Sequence, residues 1–254
     1  LVGGAISQLL QRYGLSSVQS YQVLLAGYTA SGLTMVFLFA QLTPAVEVTR
    51  NSTHTGSPRL GLHRSRRVVL KLAALFSLDS FAGGFVVQSL LAYWFHLRFG
   101  AEPVSLGAIF FGANLLAGFS ALAAVRVADR IGLVRTMVFT HLPSNVLLIL
   151  VPLMPTLHWA VLVLLLRFSI SQMDVPTRQS YVMAVVHPDE RSAAAGVTSV
   201  ARTTGAALSP LLSALLLASP SFASVPFFLA GGLKILYDLL LYRGFVRLRP
   251  AEEE

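Results

Sequence analysis

Cysteine is absent from this chain of 254 residues, and charged side chains are scarce. Without cysteine the chain forms neither a disulfide framework nor a thiolate metal site. Asp, Glu, Lys and Arg make up only 12% of the residues, whereas a typical soluble domain has about 25%. Because so few charges do not cover the surface of a soluble fold of this size, the composition predicts a membrane protein.

Motifs of catalysis and nucleotide binding are also missing. The chain contains no H-E-x-x-H, no G-x-S-x-G, no G-x-x-x-x-G-K-[ST] and no paired-Asp motif of lipid-modifying enzymes. These patterns build zinc sites, nucleophilic serines and phosphate loops. We therefore predict a protein that is not an enzyme, with no cofactor and no metal site.

The net charge of +8 does not indicate nucleic-acid binding. The basic residues lie in short clusters between apolar segments, which is the pattern that orients a membrane protein. A nucleic-acid surface needs a basic stripe on a water-exposed face, and the sequence has none.

Apolar runs dominate what is present. Hydrophobic residues make up 55% of the chain, and the mean hydropathy is +0.70. Continuous apolar runs of this kind favour membrane-spanning helices over barrel strands, whose apolar residues alternate. The sequence predicts an all-α membrane protein with seven full spans, at roughly 21–42, 69–96, 104–126, 134–153, 157–185, 192–217 and 222–244.

Four segments follow from this pattern. Residues 1–42 contain an apolar stretch too short to span, at 1–10, followed by the first span; we expect the true start of the protein to lie upstream. Residues 43–68 are rich in Gly, Ser, Thr, Pro and Arg, which is typical of a linker. Residues 69–246 carry the remaining six spans, and 247–254 form a polar tail.

The basic residues predict the orientation of the chain. Fourteen of the nineteen Lys and Arg residues lie in segments that the seven spans place on one side, whereas Arg12 and Arg98 lie on the other. Because basic loops stay in the cytoplasm, we expect the linker and the C-terminus there, in a plasma or inner membrane.

A long basic linker followed by six closely spaced spans resembles the second half of a major facilitator superfamily transporter. Asp129, Arg130 and Gly132, with Arg135 beyond, resemble that family's D-R-x-G loop signature, although Val125 stands where the family has Gly. Pro176 and the segment 187–196 (HPDERSAAAG) resemble the family's stretch between its tenth and eleventh helices.

The resemblance implies that 1–42 is the end of a first bundle and that 69–246 is the second six-helix bundle. It implies a secondary transporter that moves a small-molecule substrate across the bilayer by alternating access, coupled to protons, with efflux as one direction. The missing N-terminal bundle would be its partner. The alternative is a truncated or non-transporting scaffold module that needs a partner bundle.

The resemblance also gives the Asp129 loop a role as a latch. The carboxylate would lie near the N-terminus of a neighbouring helix, where the helix dipole favours an anion. The alternative is a solvated turn whose arginines only fix the topology.

Ionisable residues inside spans are the candidates for transport and coupling, because each costs at least about 2.5 kcal/mol to insert. Asp79 lies between Ser77 and Ser80. It is predicted to be a proton site or the partner of a buried arginine; a purely structural carboxylate is the equal alternative. Asn114 adds a polar group to the next span and is a further candidate for the path.

The span 157–185 is the richest in polar residues. Arg167, Ser171, Asp174 and Arg178 follow one another at helical spacing, so they share one face of the helix. We expect Asp174 and Arg178 to form a pair, and Arg167 or Asp174 to line the transport path. Pro176 is predicted to kink the helix and act as a hinge.

Two later spans also carry charges. Arg202 needs an anion or several backbone carbonyls as partners, and Asp79 and Asp174 are the candidate anions in this chain. Lys234 and Asp238 are spaced as an intrahelical pair. Because the last helix is usually peripheral in the resembling family, we expect this pair to have a structural or lipid-interface role.

Overall fold

The computed structural model describes residues 2–42 and 61–246, and its regular structure there is helical. The chain divides into two compact units, residues 1–57 and 58–254. The predicted linker falls largely on 43–60, and the predicted tail on 247–254, both outside the described residues.

The first unit contains helix α1 (Val2–Arg12) and helix α2 (Ser17–Ala40). A capping box starts α2: the Ser16 Oγ accepts from the Gln19 N–H, and the Ser16 N–H donates to the Gln19 Oε1. Side chains are exposed along nearly all of α2, although the helix is strongly apolar. Such a surface suits contact with lipid.

The second unit contains eight α-helices within the described residues. They are α3 (Arg66–Gly84), α4 (Gln88–Phe99), α5 (Pro103–Ile131), α6 (Leu133–Leu150), α7 (Leu157–Ser171), α8 (Asp174–Val185), α9 (Arg191–Leu217) and α10 (Val225–Phe245). The pairs α3–α4 and α7–α8 each form one candidate membrane span made of two helices, so the described part of the chain has seven candidate spans. The prediction of an all-α protein with seven spans is confirmed.

Two spans that we expected to be continuous are broken. The first breaks at 85–87, between α3 and α4, directly after the pair Gly83-Gly84. Val87 has an extended backbone at the start of α4. Glycine weakens a helix interior, which makes this position the natural place for an interruption.

The second break lies between α7 and α8, and it corrects the position of the predicted kink. We expected the kink at Pro176, but the helix is interrupted at Gln172 and Met173. Proline has no N–H to donate to the carbonyl four residues earlier, which here belongs to Gln172. Pro176 itself lies in the first turn of α8, where proline is tolerated.

Two apolar clusters form the core of the second unit. One includes Phe76, Met137, Tyr181 and Tyr237; the other includes Trp94, Phe95, Leu148, Leu164 and Phe227. Along α3, α6 and α10, buried polar residues lie between the members of the two clusters. The apolar packing therefore encloses a polar layer from both ends.

Helices α3 and α9 approach each other closely at two glycines. A Cβ on Gly205 would meet the backbone carbonyl of Ser77, and a Cβ on Gly84 would meet Ser209 and the carbonyl of Ala206. These positions have no room for a larger residue.

Glu190 ties the start of α3 to the start of α9. Its carboxylate accepts from the backbone N–H groups of His63, Arg64 and Ser65, at 2.6, 2.7 and 2.8 Å. The Glu190 side chain is fully buried, and Ser65 is the N-cap of α3. The carboxylate therefore binds the N-cap N–H of α3 and the two N–H groups before it, and it complements the dipole of the helix.

The D-R-x-G segment is more helical than we expected. Asp129 and Arg130 belong to the last turn of α5 rather than to a loop, and the connection to α6 is Gly132 alone. Gly132 has φ 87°, which favours glycine. Asp129, Arg130 and Arg135 are exposed. The role of Asp129 as a latch stays a prediction.

The close contact of α3 with α9 can be tested by Gly205→Ala. The added methyl group meets backbone that cannot rotate away, so we expect the full-length protein to lose about 1–3 kcal/mol of stability. The measurement is the thermal unfolding midpoint in detergent.

Gly196→Ala, in the same helix, is the matched control, because nothing lies within 4 Å of its added Cβ. There the better helix propensity of alanine should leave the midpoint unchanged or raise it. Equal midpoints for the two variants would contradict the close packing.

Candidate functional site

A cavity of about 280 Å³ lies within the second unit, in the polar layer between the two apolar clusters. Helices α3 and α6 to α10 contribute its lining, which includes an unusually dense set of ionisable side chains for a membrane-spanning region. The polar lining residues are Asp79, Ser80, His141, Arg167, Ser171, Gln172, Asp174, Arg178, Arg202 and Lys234.

Asp79 on α3 is the centre of the ion pairs. Its Oδ2 accepts from the Arg178 Nη1 at 3.0 Å, and its Oδ1 accepts from the Lys234 Nζ at 2.5 Å. The Nε2 of His141 lies 3.8 Å from the Asp79 Oδ1. One buried carboxylate therefore connects α3 with α6, α8 and α10. Asp79 is thus the partner of a buried arginine; its role as a proton site and the alternative of a purely structural carboxylate both stay predictions.

Arg178 on α8 contacts two carboxylates. Besides Asp79, its Nη1 lies 3.3 Å from the Asp174 Oδ2, which confirms the expected pair within α8. The guanidinium also lies over the ring of Phe76, 5.3 Å from its centroid. Arg178 is only 4% exposed, so a cation there requires these anions and this ring for compensation.

Asp238 on α10 forms a second polar group with α6. Its Oδ1 lies 2.8 Å from the Nδ1 of His141, and its Oδ2 accepts from the Asn145 Nδ2 at 2.9 Å. His141 thus lies between the two carboxylates, Asp238 on one ring nitrogen and Asp79 on the other. The Asp79 pairs and the Asp238 group form one network.

The expected pairing of Lys234 with Asp238 is wrong, and so is the peripheral position of their helix. Helix α10 packs against α6 and α3, and Lys234 and Asp238 are 8% and 0% exposed. Each side chain has an opposite charge or a histidine on a neighbouring helix: Asp79 for Lys234, and His141 for Asp238. Interhelical partners therefore replace the intrahelical pair.

Arg167 on α7 and Arg202 on α9 also line the cavity, but neither forms an ion pair with a carboxylate of the described residues. The Arg202 Nε donates to the Ser80 Oγ at 3.4 Å. The Arg167 guanidinium lies 5.0 Å from the Phe168 ring centroid, and its Nε is buried without a hydrogen-bond partner among the described groups. The expected pairing of Arg202 with Asp79 or Asp174 is wrong, because Arg178 and Lys234 already occupy those carboxylates.

The remaining predicted residues lie elsewhere. Asn114 is exposed on α5 and donates to the Gln88 Oε1 at 3.3 Å, outside the cavity lining. Asp129, Arg130, Gly132 and Arg135 lie at the junction of α5 and α6, also outside that lining. Pro176 lies between Asp174 and Arg178 in the first turn of α8 and is not part of the cavity lining.

The four residues of the predicted stripe on 157–185 do meet, although the helix is broken between them. Arg167, Ser171, Asp174 and Arg178 all line the cavity. Sequence analysis gave Lys234 and Asp238 a structural or lipid-interface role and so missed their contribution to this network. A signal was present, because an ionisable residue within an apolar span is itself an indication of a site.

The central role of Asp79 can be tested with the charge-removing variant Asp79→Asn in the full-length protein. The change leaves Arg178 and Lys234 facing a neutral amide, which we expect to cost about 3–5 kcal/mol of stability. The measurement is the unfolding midpoint in detergent. Combining Asp79→Asn with Lys234→Met removes one uncompensated cation as well and should recover part of the loss.

The carboxylate control is Glu102→Gln, at the exposed start of α5, which should leave the midpoint unchanged. An Asp79→Asn midpoint equal to that of Glu102→Gln would contradict the ion-pair network.

Comparison with known proteins agrees with this architecture. The model of the Major Facilitator Superfamily matches residues 1–210 and, in an overlapping match, 73–254. The Uncharacterized membrane protein YJR124C of Saccharomyces cerevisiae (strain ATCC 204508 / S288c) is 24% identical over 271 residues, with 95% of this chain and 60% of the yeast protein covered. The chain thus spans less than two thirds of the length of that relative. Together with the seven candidate spans, the family match shows that this chain is an integral, multi-pass membrane protein of the major facilitator superfamily, a family of transporters.

Proposed function

We propose that the chain is part of a secondary transporter that moves a small solute by alternating access and couples this movement to protons. The observation that carries the proposal is the ionised cavity in the polar layer of the second unit, lined by Asp79, Arg178 and Lys234 at hydrogen-bonding distance. Family membership supports a transporter rather than an enzyme.

The energetic argument is that burying so many charges in a membrane is costly, so their presence indicates a function. Each ionisable group within the hydrocarbon region lowers the stability of the inserted state, and such groups mark functional sites by default. Here the charges lie on five helices and surround a space large enough for several water molecules. In this class of fold, substrates bind near the middle of the membrane.

The network also offers a place for the coupling proton. The ring of His141 lies between Asp238 and Asp79, and each nitrogen of an imidazole can either hold a proton or accept one. A proton gained or lost there changes the charge beside the Asp79–Lys234 pair. Because that pair joins α3 to α10, a change in its strength alters how firmly the two helices are held together. Asp174, paired with Arg178, is the second carboxylate available for coupling.

Arg167, Asp174 and Arg202 are the proposed contacts along the solute path, since all three line the cavity. The interruption at 172–173, with Pro176 just beyond, is the proposed hinge between α7 and α8. The helices of an N-terminal bundle would complete the transporter. The basic loops support a cytoplasmic C-terminus in a plasma or inner membrane.

Transport can be tested by reconstituting the full-length protein into proteoliposomes and following internal pH while solutes are screened. We expect a solute-dependent pH change that His141→Gln and Asp79→Asn reduce at least about tenfold, because each removes a side chain that can accept the proton. Glu102→Gln is the control that should retain the change. Detergent unfolding midpoints establish that each variant is folded.

Two other results are informative. Solute that equilibrates without moving protons would contradict proton coupling while keeping transport. A folded protein that moves none of the solutes, in the presence of its complete upstream sequence, would favour the non-transporting scaffold.

The orientation can be tested by introducing single cysteines, because the chain has none of its own. On intact cells, a membrane-impermeant maleimide should label Glu102→Cys, which lies on the predicted outer side. Arg130→Cys, on the predicted cytoplasmic side, should react only after permeabilisation. Both positions are exposed. The reverse pattern would contradict a cytoplasmic C-terminus.

A further inference from the structure

The charges that line the cavity do not balance. Two carboxylates, Asp79 and Asp174, face four basic side chains: Arg167, Arg178, Arg202 and Lys234. His141 contacts a further carboxylate, that of Asp238, through its Nδ1. The lining therefore carries two more basic than acidic groups.

The ion pairs show which two cations are in excess. Arg178 lies within 3.3 Å of both lining carboxylates, and Lys234 binds Asp79. These two cations account for the two carboxylates. Arg167 and Arg202 are left facing the cavity, with a ring and a serine hydroxyl as their described partners.

Unsatisfied donors mark the same place. The Arg167 Nε and the Ser171 Oγ are both buried, and neither has a hydrogen-bond partner among the described groups. They lie one helical turn apart on α7, and both residues line the cavity. A buried donor without an acceptor is destabilising, and more so when it is charged. An acceptor with lone pairs would satisfy both groups, and a negatively charged acceptor would also compensate the arginine.

The rest of the lining indicates what kind of molecule carries that charge. Val87, Val175, Ala206 and the glycines of α3 add apolar surface to the cavity. Its volume, about 280 Å³, is at the small end of the range for ligand pockets. A small organic molecule with an apolar part fits these features better than a bare inorganic ion or a long lipid chain.

We propose that the cavity binds a small organic carboxylate, whose acidic group is held by Arg167, Ser171 and Arg202 while its apolar part lies against Val87, Val175 and Ala206. Guanidinium groups suit this role because their planar donors match the two oxygens of a carboxylate. The inference rests on the proposed function, in that this anion is the transported solute, but its binding is measurable without transport.

Binding is tested by thermal unfolding of the full-length protein in detergent, with acetate, succinate and benzoate at constant ionic strength. Acetamide, succinamide and benzamide are the matched uncharged probes, because they keep the shape of each acid without its charge. We expect at least one carboxylate to raise the midpoint saturably and its amide to leave the midpoint unchanged. Specific binding to the folded state produces such a shift by mass action.

Variants identify the site. Arg167→Gln and Arg202→Gln should each weaken the apparent affinity for the binding carboxylate by about tenfold or more, because each removes a charged hydrogen-bond donor. Arg167→Lys, which keeps the charge, should retain part of the affinity. Arg98→Gln is the control: Arg98 is exposed on α4, outside the cavity lining, and its loss should change nothing.

A structural role for the arginines gives a different result, because the variants would then unfold earlier without ligand and still respond fully to the carboxylate. That result would overturn the proposal. So would an equal shift by acids and amides, no shift by any acid, or a shift by phosphatidylglycerol alone, which would assign the anion to a lipid headgroup.

The two proposals fail in distinguishable ways. Saturable carboxylate binding that Arg167→Gln abolishes, without uptake of that carboxylate into proteoliposomes, would support the binding site and contradict transport of this anion. Proton-coupled uptake of neutral or cationic solutes, with no carboxylate binding, would keep the transporter and overturn the anion site.

Discussion

The second unit depends on a single buried carboxylate. Asp79 accepts from Arg178 and Lys234 and lies beside His141, so it holds α3 to α6, α8 and α10 at once. In a hydrocarbon surrounding, apolar helices gain little from contacting each other rather than lipid, and interhelical polar contacts and close packing specify how they associate. The ion pairs fix the rotation of these helices, and the two apolar clusters pack above and below them.

This arrangement joins structural and functional demands in one place. The cations that Asp79 compensates are needed to hold the helices, yet they also surround a cavity that water or a solute can occupy. Arg167 and Arg202 differ from them, since they contribute charge to the cavity without binding a described carboxylate. A site that is internally neutral would bind an anion weakly. The two excess arginines are therefore what gives the cavity its preference for one sign of charge.

Hydropathy was sufficient for the number of spans, because the thickness of the bilayer fixes the length of each apolar run, but it did not reveal the breaks at 85–87 and 172–173. Helical spacing also placed Arg167, Ser171, Asp174 and Arg178 at one site correctly. The ion-pair partners could not be found in this way. Lys234 is four residues from Asp238 but binds Asp79, which is 155 residues away. Partner choice depends on how the helices are rotated and which of them are neighbours, and no local pattern contains that information.

The glycine contacts of α3 and α9 have a consequence for how such a protein moves. At Gly84 the backbone of α3 lies against the Ser209 side chain and the Ala206 carbonyl of α9. At Gly205 the backbone of α9 lies against the Ser77 carbonyl of α3. Such a contact leaves no gap between the two helices at this level. We therefore expect α3 and α9 to move together there. Any opening beside the cavity would then come from the other helices around it, which include the interrupted pair α7–α8.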